Sequence, residues 1–148
     1  MIDMKTAQPF LFGIYGYSGS GKTTLIEKMV CALQERNKQV AVIKQSRQEK
    51  SIDQTGKDTQ RFRLAGAHPV VFMGKNETVI FDNQRELSDI VTEIAGNHRV
   101  DIILIEGAHD AIIPKLRIGD IPLRENTLLT FDGDFENLIR LILKGEYK

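Results

Sequence analysis

The apolar run FLFGIY, Phe10 to Tyr15, leads straight into GYSGSGKTTL, Gly16 to Leu25. A buried-strand pattern that breaks on glycine and reopens as a helical pattern admits few folds. Gly16-Tyr17-Ser18-Gly19-Ser20-Gly21-Lys22-Thr23 meets G-x-x-x-x-G-K-[ST] at every fixed position. Glycines let the backbone bend around an anion without Cβ clashes, and successive amide N–H groups then converge on it. A helix opening near Thr23 adds its positive dipole end. Gly16, Ser18, Gly19, Ser20, Gly21, Lys22, Thr23 and Thr24 are therefore expected to hold the phosphates of a nucleotide. Lys22 supplies a full charge for the outer phosphates, and the Thr23 hydroxyl is the expected magnesium ligand.

The rest of the chain alternates strand and helix patterns. QVAVIK, Gln39 to Lys44, reads as a second strand, and Ile26, Met29, Val30 and Leu33 mark one face of a helix over Thr23 to Arg36. Thr59 to Ala65 reads as a short helix closed by Gly66, with Asp58 or Thr59 as its N-cap. VVFM and TVIF flank GKNE as a hairpin. Leu87, Ile90, Val91 and Ile94 form another helical stripe stopped by Gly96; VDIILIEG and KLRI follow as strands, and TLLTF precedes a last helix over Phe135 to Lys144. This order predicts a three-layer α/β fold of the P-loop NTPase type, a mostly parallel sheet with helices on both faces and one β-hairpin, in a single nucleotide-binding domain over residues 1–148.

In such sheets ligands bind at the carboxyl ends of the strands. VDIILIEG carries two acids, Asp101 and Glu106, separated on a strand by roughly 16 Å. Asp101 precedes the apolar run and reads as a solvated strand start. Glu106 follows it and is the candidate for holding magnesium or positioning water, with Gly107 letting the chain turn past the phosphates. Lys22 and Glu106 are thus the expected catalytic pair, and Thr23 and Glu106 the expected metal ligands. In DQTGKDTQRFRLAGA, Asp53 is placed to meet magnesium through water and Lys57 to meet a phosphate or an acid of a partner; a charged, solvated loop before a helix accounts for the same composition.

Composition excludes several classes. Twenty basic residues balance twenty acidic ones, which argues against a protein that coats nucleic acid. The single cysteine, Cys31, excludes an internal disulfide and is expected as a small core residue. His68, His98 and His109 are scattered and are given no metal role. The N-terminus lacks a signal-peptide layout and no apolar run approaches ~20 residues, so the expected setting is the cytoplasm, away from membranes.

GYSGSGKTTL, VIKQ, DQTGKDTQRFRLAGA and DIILIEGAHDAIIPKLRI, in this order and spacing, resemble the molybdopterin-guanine dinucleotide biosynthesis protein B (MobB) family from about residue 10 to 118. The D-x-x-G-K-D-[ST] segment followed by A-G-A is the distinctive part. The resemblance implies a GTP-binding, weakly hydrolysing, magnesium-dependent accessory protein of molybdenum cofactor biosynthesis. It also implies a homodimer that works beside a nucleotidyltransferase, with molybdopterin as a further ligand. Asp53, Gly56, Lys57 and Asp58 match the family's second motif.

Two departures stand out. The family has I-K-H and a His-rich stretch where this chain reads VIKQSRQEK, and only GDIPLREN separates KLRI from TLLTFDGDF. No N-K-x-D is present, so the residues leave GTP and ATP both open; Asp132 and Asp134 are candidates for base contact or for capping the last helix. A small-molecule kinase and a non-catalytic, nucleotide-dependent adapter carrying a pterin are the alternative readings. A kinase would want a base at the end of the second strand, where Lys44-Gln45-Ser46 offers no carboxylate before Glu49, and a lid insertion, which is not visible.

Overall fold

The computed structural model describes residues 7–48, 51–53 and 57–145. In chain order its elements are β1 (Phe10–Gly16), α1 (Lys22–Gln34), β2 (Val40–Lys44), α2 (Asp58–Leu64), β3 (Val70–Met73), β4 (Thr78–Phe81), α3 (Leu87–Asn97), β5 (Ile102–Glu106), β6 (Lys115–Ile118), β7 (Thr127–Thr130) and α4 (Phe135–Lys144). They form two compact units, one of Met1–Ser46 with Glu93–Lys148, the other of Arg47–Thr92.

The first unit is built on a five-stranded sheet in the order β2-β5-β1-β6-β7. Every pairing in it is parallel, so all strands end on one side. Glu106 stands in register with Ile14 on one neighbour and with Lys44 on the other. On one face Phe12, Ile14, Ile102, Leu104 and Leu116 meet Ile26, Met29 and Leu33 of α1 and Leu138, Ile139 and Ile142 of α4. Each such side chain contributes about 1.5–3 kcal/mol when fully buried. Alternation sends Gly13, Tyr15, Ile103 and Ile105 to the opposite face, where Ile103 and Ile105 are fully buried.

Two loops cover β1 on that face. Gly13 lets the loop after β5 approach: a Cβ there would stand 2.4 Å from the Cβ of Ala108. The second loop joins β6 to β7 through residues 119–126 with no helix, shorter than most crossovers between parallel neighbours. α4 carries local signals at both ends. Asp134 accepts from the amide of Asn137, and Gly145 closes the helix at φ 56°.

In the second unit β3 and β4 pair antiparallel with Val71 opposite Ile80 and Phe72 opposite Val79, the amide of Gly74 closing the turn on the carbonyl of Glu77 at 2.8 Å. Arg63 of α2 lies 5.4 Å from the ring centre of Phe81.

Three sequence expectations need correction. Cys31 is exposed; it falls off the stripe of Leu25, Ile26, Met29, Ala32 and Leu33 that α1 buries. Gly96 lies inside α3, which runs on to Asn97, because one glycine near a helix end costs only about 1 kcal/mol. The N-cap of α2 is Lys57, with no side-chain cap, and Asp58 is the first helical residue. Among the described residues no helix is long and apolar enough to cross a membrane.

Candidate functional site

The loop between β1 and α1 has the backbone of an anion cradle. Gly19 and Gly21 adopt φ of 75° and 92°, the left-handed region that side chains disfavour. Gly21 is also the N-cap of α1, where no side chain caps and the first turn holds no acid. The amide of Ser20 bonds within the loop to the carbonyl of Tyr17 at 3.1 Å, and that of Leu25 bonds to Gly21 at 3.0 Å as the first bond of α1; the amides of the helix's first turn lie before any intrahelical partner, as at every helix start. The buried hydroxyl of Ser20 has no hydrogen-bond partner among the described residues. Lys22 folds back over the loop, its Nζ donating to the carbonyls of Gly16 and Tyr17 at 3.0 and 2.7 Å. Thr23 and Thr24 are exposed in the first turn of α1, while Ser18 and Gly19 line the open side of the loop.

The carboxylate arrives from the adjacent strand. Glu106 is the last residue of β5 and half-buried, at the carboxyl end where β1 delivers the loop. Asp101 lies at the opposite end of β5, exposed, its Oδ2 accepting from the amide of Gln39 at 2.7 Å. The two acids are thus sorted as the strand direction requires. A triphosphate and a divalent cation fit this donor set: open amides, an orphaned hydroxyl, one ammonium, one threonine hydroxyl and one carboxylate.

Comparison with known proteins decides the family. The family model for molybdopterin guanine dinucleotide synthesis protein B, MobB, matches residues 11–142. The chain belongs to the MobB family. A molybdopterin-guanine dinucleotide biosynthesis adapter protein of Haemophilus influenzae is 37% identical over 108 residues, 72% of this chain and 61% of that protein. A Methanocaldococcus jannaschii relative is 36% identical over 110 residues, 72% of this chain and 45% of its own length. The chain therefore spans about half the length of these curated relatives. The crystal structure of Bacillus subtilis MobB shares the fold with a TM-score of 0.67 at 20% identity, covering 90% of this chain and 96% of that one. A MobB homologue from Bacillus stearothermophilus gives 0.62 at 21% identity, covering 93% and 97%.

The second MobB motif falls in the other unit, and Gly56 lies outside the described residues. Asp53 is committed locally. Its carboxylate is 3% exposed and accepts from Thr59 Oγ1 at 2.8 Å and from Arg63 Nη1 at 3.3 Å. It ties the chain before α2 to that helix. Lys57 and Asp53 also line a cavity of about 530 Å³ with Asp58, Phe72, Glu77 and Phe81. Asp134 caps α4, and Asp132 accepts from the amide of Asp134 at 2.9 Å.

Several side chains beside the Gly16–Thr24 loop have partners that the sequence does not show. Gln45, standing where the family has histidine, works through its amide. Its side chain accepts from the amide of His109 and donates to Asp110 Oδ2, both at 3.1 Å, while its backbone N–H bonds to Glu106 at 2.9 Å. Lys115, 1% exposed, donates to the carbonyls of Asp110 and Glu125 at 2.8 and 2.7 Å. Burial holds its ammonium below the ordinary pKa of 10.5. The Arg124 charge acts in the same direction and Asp110 and Glu125 oppose it. The turn after Glu106 is thus held from both sides. The signal for this was faint: P-K after E-G marks the lysine but not its partners.

Proposed function

We propose that this MobB-family chain is a magnesium-dependent nucleoside-triphosphate-binding accessory protein of molybdopterin guanine dinucleotide biosynthesis, binding GTP and hydrolysing it weakly. The observation that carries the reading is the pairing of the Gly16–Thr24 loop, with Lys22 folded onto it, and Glu106 at the carboxyl end of the adjacent parallel strand. The loop amides and the Ser20 hydroxyl would receive phosphate oxygens. Lys22 would leave two carbonyls to neutralise the outer phosphates. Thr23 and Glu106 would hold the cation. Bound there, magnesium supplies charge for the phosphates and orders the loops that contact them. In this reading Lys22 and Glu106 would act on the outer phosphate.

The role in cofactor biosynthesis follows the description of the relatives as adapter proteins. A nucleotidyltransferase is the partner this reading takes. A homodimer is supported by the paired apolar residues Val71 and Ile80, which lie exposed on the hairpin with Met73. Thermal shift with GTP and with ATP, each with and without magnesium, tests the proposal, since a ligand of the folded state raises apparent stability. A magnesium-enhanced shift with GTP is expected. No shift with any triphosphate would sink the reading.

A further inference from the structure

We infer that Arg124, in the loop between β6 and β7, is a positioning residue that sets Glu106 against the phosphate loop; the inference rests on the metal-binding role proposed above for Glu106. Arg124 touches both strands that build the site. Its Nη1 donates to the carbonyl of Gly107, the residue after Glu106. Its guanidinium carbon lies 4.5 Å from the centre of the Tyr15 ring, the residue before Gly16. Guanidinium over an aromatic face is attractive and presents the N–H fork in a fixed plane.

Tyr15 is itself locked. It is buried, its hydroxyl accepts from the amide of Arg124 at 3.1 Å, and it stands 2.6 Å from Thr127 Oγ1. Thr127 gives its only hydroxyl proton to the carbonyl of Arg124 at 2.6 Å, so Tyr15 is the donor to Thr127. The loop, Tyr15 and Thr127 thus close a ring of hydrogen bonds around the base of Arg124.

The consequence falls on Gly107. Its amide bonds to the carbonyl of Ile14 at 2.9 Å and its carbonyl is taken by Arg124. Both polar groups of the residue that follows Glu106 are fixed, one by β1 and one by a side chain that rests on β1. Glu106 has no comparable choice of backbone direction left. The clamp thus holds the backbone from which the Glu106 side chain extends, and that backbone limits where its carboxylate can reach. Residues that orient a metal ligand in this way typically change metal affinity 10–100-fold when removed.

The test compares Arg124→Ala, Arg124→Lys and Glu106→Gln in the full chain by calorimetric GTP titration over a range of magnesium concentrations and in EDTA. Arg124→Ala is expected to raise the magnesium concentration for half-maximal enhancement about tenfold or more while changing metal-free nucleotide affinity less than about twofold. Millimolar guanidinium chloride, far below denaturing concentrations, should restore part of the loss. Arg124→Lys keeps a donor for Gly107 and guards against a misfolded alanine variant; it should fall between wild type and alanine. If Glu106→Gln raises the magnesium requirement and neither folded Arg124 variant does, the inference is overturned and the site stands. Equal loss of metal-free and metal-bound affinity would likewise overturn it, as a general structural effect. If Glu106→Gln also leaves the requirement unchanged, the metal role of Glu106 fails and the inference falls with it.

Discussion

The ammonium of Lys22 stands 2.7 Å from the carbonyl oxygen of Tyr17, inside the loop that carries both residues. Under the proposed function this lysine would exchange the carbonyls of Gly16 and Tyr17 for a phosphate, a stronger acceptor. Lys22→Ala should therefore abolish the nucleotide-induced rise in melting temperature. Its own effect on the unliganded protein should be small, about 1 kcal/mol or less, because the carbonyls it leaves are open to water. Differential scanning fluorimetry with and without GTP reads both quantities.

Asp101→Ala should leave nucleotide binding intact. The residue sits at the amino end of β5, where its carboxylate accepts from the amide of Gln39. Loss of that bond should cost about 1 kcal/mol in a denaturant melt. Abolished binding in a folded Asp101→Ala protein would contradict the parallel register of β1 and β5.

Gly13→Ala places a methyl 2.4 Å from the Cβ of Ala108 and 3.1 Å from that of Lys115. The backbone of β1 or of the loop after β5 must shift to admit it. Overpacking of this kind costs about 1–3 kcal/mol, and urea unfolding should show it as a lower midpoint at unchanged slope.

Lys115 gives the stability a pH signature. Its folded pKa lies below the ordinary value of 10.5, so the unfolded chain holds more protons between the two. The lysine's contribution to stability then rises as pH climbs through that window toward 10.5. A neutral amine still has two N–H groups for the two carbonyls it serves. Lys115→Met removes both donors and should cost about 1–3 kcal/mol at neutral pH. The gap between wild type and variant should widen as pH is raised, in parallel urea melts.

Asp53→Ala should act on the second unit. It leaves Arg63 and Thr59 without the acceptor they share, at a cost of about 1–3 kcal/mol. Hydrogen exchange should report faster opening of α2 amides, with the strands of the first unit unchanged.

Much of this architecture is written locally. FLFGIY and VDIILIEG are apolar because β1 and β5 are buried between neighbours, and Asp134 and Gly145 bracket α4 by their own chemistry. Which acid lies at the carboxyl end of β5 could be read from strand direction alone. What stayed hidden depends on residues distant in the chain. Gln45 reads as a lost histidine until His109 and Asp110 are seen against its amide. Arg124 reads as a surface charge until Tyr15 lies beneath it. Cys31 has the residue type of a core position, but its angle around α1 puts it off the buried stripe and leaves it exposed.

β1 is synthesised first and stands at the centre of its sheet, yet both strands that flank it, β5 and β6, begin only at Ile102 and Lys115. On the ribosome the greasy FLFGIY segment must wait until β5 and β6 have emerged before it finds its neighbours. Long-range parallel pairing of this kind is slow and exposed to aggregation. A truncated translation product would consequently carry the complete glycine signature and no platform to shape it.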